Sequence, residues 1–199
     1  MNIMNINNLK TGDILLFDEN PSNCAFKSFT SLIKCWTHSI FSHCAFVLKD
    51  PFNKKGIYIW ESSYHGNQPR NERKFGVQIT PIEYYLNDYP GKVTIYVRRR
   101  DENNPIFTNS FLKKVFDVVH DMPYDINICD WISVAMGKHN IKTTRRFWCS
   151  ALLGYILTIH GDLEKETDWS MLRACDFSST SENLTWLVKY HENELIGTF

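Results

Sequence analysis

The chain lacks an excess of charge of either sign: over 199 residues, 22 Lys and Arg stand against 22 Asp and Glu. Without a global field to draw in polyanions, charge-driven binding to nucleic acid is disfavoured. It also lacks any apolar run approaching the ~20 residues that cross a bilayer, and its first stretch, MNIMNINNLK, has no signal-type apolar region. The expectation is a cytoplasmic protein with no transmembrane segment, peripheral contact with a membrane being left open. Internal repeats, low-complexity tracts and Pro/Gly/Ser linkers are missing too, which excludes repeat arrays and points to one domain over 1–199. Cysteine is too sparse and too scattered, at 24, 35, 44, 129, 149 and 175, to be a disulfide framework. In a reducing compartment each is either a small buried apolar group or a reactive thiolate.

What is present is the material of a core: 43% of residues are apolar and 14% aromatic, enough for a domain of this length to fold alone. A turn at Lys10 to Asp13 feeds a short strand, Ile14 to Phe17, apolar on both faces. Phe26, Phe29, Leu32, Ile33 and Trp36 recur at helical spacing, so a helix over 24–36, capped by Ser22 or Asn23, is expected to lay one apolar stripe on the core. Two further strands, His43 to Leu48 and Ile57 to Glu61, are joined by the turn-rich Asp50 to Gly56 and read as a hairpin. Pairing Leu48 with Gly56 would put His43 opposite Glu61, on a face shared with Ala45, Val47, Ile57 and Ile59. Cys44, Phe46, Leu48, Tyr58 and Trp60 take the other face. Both faces are apolar, so the hairpin is expected to be central and covered.

Downstream, Val77 to Ile79 reads as a strand. Thr80, Pro81 and Glu83 form a capping-box pattern for a short helix to about Leu86. Val93 to Val97 is a strand ending in Arg98-Arg99-Arg100, read as a solvated exit. Phe111 to Val119 and the segment from about Trp148 to Ile159 read as helices. The order is mixed, α+β, with a central, largely antiparallel sheet packed by helices.

Cys149 opens the second of those helices. A thiol there feels the positive end of the helix dipole and nearby backbone N–H groups, which favour thiolate and can hold an oxyanion. With Cys149 as nucleophile, His43 as base and Glu61 orienting the imidazole, the three residues can make an acyl-transfer triad. A backbone carbonyl or His65 could orient His43 in place of Glu61.

The ordered segments Lys10-Thr11-Gly12-Asp13-Ile14-Leu15-Leu16-Phe17, Phe41-Ser42-His43-Cys44-Ala45-Phe46-Val47, Trp60-Glu61-Ser62, Gly76 to Ile82, Met122-Pro123-Tyr124-Asp125 and Trp148-Cys149-Ser150 resemble the permuted NlpC-type papain-like hydrolases, the YiiX-like group. The resemblance spans roughly residues 9–177. It implies a circularly permuted papain-like fold in which the base histidine precedes the nucleophilic cysteine. It carries the catalytic roles to His43, Glu61 and Cys149, and oxyanion or substrate-binding roles to Tyr124, Trp148 and Ser150. Two departures stand out: Cys44 follows His43 where the family favours a small aliphatic residue, and 178–199 is an extension without a family counterpart.

The resulting expectation is a thiol hydrolase, without cofactor or metal, acting on an amide, ester or thioester carbonyl of a peptide or acyl-lipid substrate. Acyl transfer to another acceptor on the same site stays open, as does a catalytically inactive module used for binding or assembly. A zinc site from Cys35, His38, His43 and Cys44 is disfavoured, because neighbouring His43 and Cys44 point to opposite strand faces. His120, His139, His160 and His191 have no partner pattern and read as surface or helix-end groups.

Overall fold

The computed structural model describes residues 6–63, 76–123, 147–181, 184 and 190–199. Among these, six strands form one antiparallel sheet in the order β4-β3-β2-β1-β5-β6. They are β1 (Ile14–Pro21), β2 (His43–Lys49), β3 (Ile57–Ser63), β4 (Gly76–Pro81), β5 (Gly91–Arg100) and β6 (Tyr190–Thr198). The helices described are α1 (Cys24–Thr37), α2 (Asn109–Val119) and α3 (Cys149–His160). None is long and apolar enough to cross a membrane. The class is α+β, as the element order implies.

Strand alternation sorts the core into two layers. Cys44, Phe46, Leu48 and Trp60 face α2 and α3, meeting Leu112, Val115, Leu152 and Ile156. Ala45, Val47, Ile57 and Ile59 face the other way, under Leu9, Tyr85 and Tyr89. The hairpin is thus central and covered on both sides.

Its register differs from the expected one by two residues. Leu48 pairs with Tyr58 and Lys49 with Ile57, because Asp50 rather than Leu48 closes the loop. Asp50 sits in the left-handed region, its N–H donates to the Gly56 carbonyl at 2.8 Å, and its Oδ1 accepts from the Gly56 N–H at 2.7 Å. A shift of two leaves every side chain on its face. His43 and Glu61 therefore still share one, as diagonal rather than opposite neighbours.

Three other expectations are corrected. The apolar stripe of α1 does not lie on the core: Asn23 caps the helix as expected, but Leu32 is 59% and Trp36 40% exposed. The helix side of the sheet is already filled by α2 and α3, and α1 packs mainly along β1. Thr80 is not a helix cap. It belongs to β4, paired with Ile59, and the ladder runs on through the Ile82 N–H to the Ile57 carbonyl. A wide helical turn at Tyr84–Asp88 follows β4. The arginine run is not a solvated exit. Arg98 is buried and donates to the carbonyls of Phe177 and His191, and Arg100 grips Asp162 through Nε and Nη2 at 2.8 and 2.9 Å. The contact with His191 arises because the C-terminal extension, left without a role above, supplies β6 as the edge strand beside β5.

Candidate active site

His43 is the first residue of β2, paired with Phe17 of β1, and its ring packs 5.2 Å from the Phe17 ring. Its Nε2 lies 2.8 Å from Glu61 Oε2. Glu61 is 1% exposed, and an ionised carboxylate there needs its lone pairs satisfied. Thr80 Oγ1 donates to Oε1 at 2.5 Å and the Tyr85 hydroxyl to Oε2 at 2.8 Å. β3 carries Glu61, β4 carries Thr80, and the turn after β4 brings Tyr85 down onto the same face. Burial and Glu61 hold the Tyr85 phenol well above its usual range, so it stays a donor.

The nucleophile arrives from the other layer. Cys149 is the first residue of α3, preceded by Trp148, whose side chain gives no cap. The positive end of the dipole is therefore turned on the sulfur without a competing side-chain oxygen from Trp148. Three tethers place this helix start. Ser62, the residue after Glu61, donates through Oγ to the Phe147 carbonyl at 2.5 Å. Ser150 Oγ and Trp148 Nε1 both donate to the Leu172 carbonyl, at 2.6 and 3.3 Å. The Phe147 N–H in turn donates to the Pro123 carbonyl at 3.2 Å, so the chain before position 124 runs beside the nucleophile.

The Cys149 thiol is coupled to the two successive residues that open β2, Cys44 and His43. Their combined pull outweighs burial and holds it well below its ordinary range. Burial alone would push the His43 imidazole down, but the Cys149 sulfur and then the bond to Glu61 carry it well above its usual value. The favoured state is a thiolate–imidazolium pair backed by a carboxylate. Cys44 itself is pushed up by burial and by Cys149, so it remains a thiol.

The structure brings together Cys149, His43 and Glu61. Trp148 and Ser150 flank the sulfur, with their side chains committed to Leu172, and Tyr124 lies outside the described residues, as does His65. Cys35 and His38 sit exposed on α1 and its C-terminal cap, away from the buried His43 and Cys44. Among the described residues no group of three or more His, Cys, Asp or Glu could hold a metal ion.

Sequence reasoning gave no part in the site to five neighbours: Thr80, Tyr85, Cys44, Glu19 and Ser42. Glu19 is a second buried carboxyl on the His43 face, 2% exposed. Burial raises its pKa against the opposing pull of His43, and Ser42 Oγ donates to its Oε2 at 3.1 Å. Its alternation with Phe17, two residues before it on the same strand, was the available signal. No family model matches the chain, and no curated protein matches it.

Proposed function

We propose that the chain is a cysteine-nucleophile hydrolase of the permuted NlpC-type, papain-like kind, acting on an amide, ester or thioester carbonyl. One observation carries the reading: a single sulfur at an uncapped helix start is coupled to an imidazole whose far nitrogen is held by a buried, doubly hydrogen-bonded carboxylate. The chain order, strand histidine before helix cysteine, fits the permuted arrangement that the resemblance implies.

In this reading the Cys149 thiolate adds to the substrate carbonyl, and the oxyanion is met by N–H groups of the first turn of α3. His43, protonated at rest, gives its proton to the leaving group as the tetrahedral species collapses to an acyl-enzyme. The neutral imidazole then takes a proton from water, whose oxygen attacks the acyl carbon, and returns it to the departing sulfur. Glu61 holds the ring and balances its charge throughout. By the resemblance, Tyr124 would assist at the oxyanion. An acceptor other than water in the second half would make the same site an acyltransferase.

The test is intact-mass trapping of an acyl adduct from a mixed panel of peptide amides, lipid esters and thioesters, beside labelling with a thiol-directed electrophile. Cys149 should label faster than the other five cysteines, His43→Ala should slow it, and Cys149→Ala should abolish the adduct. Uniform slow labelling of all six, with no adduct from any class, would support a binding module instead.

A further inference from the structure

Glu19 is the buried titratable group beside the site that the hydrolytic scheme leaves unused. Burying a carboxyl costs stability, and Glu19 is 2% exposed; what surrounds it is built around the base. Glu19 stands two residues along β1 from Phe17, the cross-strand partner of His43. Alternation puts Phe17, Glu19 and His43 on one face, so Glu19 is a diagonal neighbour of His43 on the β1 side, as Glu61 is on the β3 side. The imidazole at the start of β2 thus has a buried carboxyl from each flanking strand.

The Glu19 side chain is bound to the residue that precedes His43. Ser42 Oγ accepts from the Glu19 N–H at 3.2 Å and donates to Glu19 Oε2 at 3.1 Å, with the Phe17 carbonyl a second acceptor at 3.4 Å. The Ser42 N–H donates to the same carbonyl at 2.9 Å. These bonds carry the contact between β1 and β2 one residue past the Phe17–His43 pair, at a strand end that would otherwise fray. Lys34 of α1 braces the outer side, its ammonium reaching the Glu19 carbonyl at 2.6 Å and the Asp18 carboxylate.

We propose that Glu19 is a positioning residue for the base: through Ser42 it fixes the strand start that presents the His43 ring to Glu61, and its carboxyl supplies the imidazole with a second counter-charge. The inference rests on His43 being the base of the proposed reaction.

The two carboxyls divide the work. Glu61 meets the ring directly and takes donors from Thr80 and Tyr85. Around Glu19 the charged and titratable groups are His43 from β2, Glu61 from β3, Cys149 from α3 and Lys34 from α1, while β5 places Val93 opposite it. Burial raises the Glu19 pKa above that of an ordinary glutamate, His43 and Ser42 oppose the rise, and Glu61 and Cys149 add to it. Glu19 therefore takes up its charge later than a free carboxyl as pH climbs. Below that point it is a neutral acid that holds Ser42. Above it, its charge adds to the pull of Glu61 on the imidazolium.

The experiment follows the His43 ring by NMR of the full-length protein carrying isotope-labelled histidine, its signal being the one of seven that His43→Ala removes. Glu19→Gln keeps the shape and an acceptor for Ser42 but cannot ionise. Its His43 midpoint is expected to fall below that of the wild type by on the order of one pH unit. Glu19→Ala, checked for native circular dichroism, loses the clamp as well, and its Cys149 should label several-fold slower than that of Glu19→Gln. Should Glu19→Ala not fold, Ser42→Ala opens the same clamp from the other end and takes its place. Equal His43 midpoints in wild type and Glu19→Gln, or a clamp variant that labels as fast as Glu19→Gln, overturns the proposal. Wild-type Cys149 that labels no faster than the other cysteines sinks the hydrolase reading but leaves the His43 midpoints readable, so the two failures are distinguishable.

Discussion

Glu61 Oε2 lies 2.8 Å from His43 Nε2, on the diagonal between two neighbouring strands, with the carboxylate residue 1% and the histidine 6% exposed. Engaging Nε2 leaves Nδ1 as the ring nitrogen for the Cys149 sulfur. Glu61→Gln keeps the shape and one acceptor oxygen, puts an NH2 donor where the other oxygen accepts from Thr80 or Tyr85, and withdraws the charge that balances the imidazolium. The expected result is a slower Cys149 alkylation at neutral pH, on the order of tenfold for each pKa unit that the thiol regains. Equal rates in variant and wild type would remove Glu61 from the site.

Thr80 reaches Glu61 from the next strand over, and its hydroxyl is the partner of Oε1 at 2.5 Å. Thr80→Val keeps the branched shape but strands a buried carboxylate oxygen, at a cost of about 1–3 kcal/mol in unfolding free energy. Cys149 labelling should slow with it, since a less satisfied carboxylate holds the ring less firmly. Thr80→Ser should restore both readouts, whereas a helix-capping residue would leave labelling untouched in every variant.

Ser62 acts one step further out. Its bond to the Phe147 carbonyl ties β3 to the residues leading into α3, so the strand that carries the carboxylate also positions the nucleophile. Ser62→Ala is expected to cost about 1 kcal/mol in denaturant unfolding. It should lower the turnover of whichever acyl substrate is trapped while leaving the Glu61–His43 pair in place. Loss of stability with unaltered turnover would show the tether to be structural only.

The face assignment, the helix start at Cys149 and the antiparallel sheet were legible because each rests on local periodicity. Alternation puts His43 and Glu61 together whatever the exact register, as long as the shift is even. Loop closure was not legible: the left-handed Asp50 that displaces Leu48 from the hairpin end depends on a side-chain bond to the Gly56 N–H. Thr80 was misread because Thr-Pro-x-Glu is equally a helix start and a strand end, and only the pairing with Ile59 decides between them. Cys44 was noted only as a departure from the resemblance, since nothing local shows its coupling to a residue far along the chain.

The α1 stripe supplies a prediction of the opposite sign from its sequence pattern. Were Leu32 and Trp36 in the core, truncation would cost about 2–5 kcal/mol. At 59% and 40% exposure, Leu32→Ser and Trp36→Ser should each move unfolding free energy by no more than about 0.5 kcal/mol. Thermal and denaturant unfolding of the two variants check this, and a large loss in either would mean that the stripe is covered.

The directions of the two shifts fix the pH behaviour of the site. His43 is raised well above 6.5 in the folded protein, so its contribution to stability is complete below that unfolded value and is lost as pH climbs through the folded one. Cys149 is lowered well below 9.0, so its contribution is complete above the unfolded value and is lost as pH falls through the folded one. Between the two folded values the thiolate and imidazolium coexist, and stability and alkylation should both hold across neutral pH. An ordinary thiol, with a pKa of about 8.5, would instead slow about tenfold for each unit of acidification below that point. In His43→Ala the imidazolium is gone, and the inflection for Cys149 labelling should move upward toward the ordinary range. It should stop short of it, because the coupling to Cys44 and the helix dipole remain. Labelling rates from about pH 5 to about pH 9 in wild type and His43→Ala decide the matter. Two superimposable profiles would mean that imidazole and sulfur do not share a proton equilibrium.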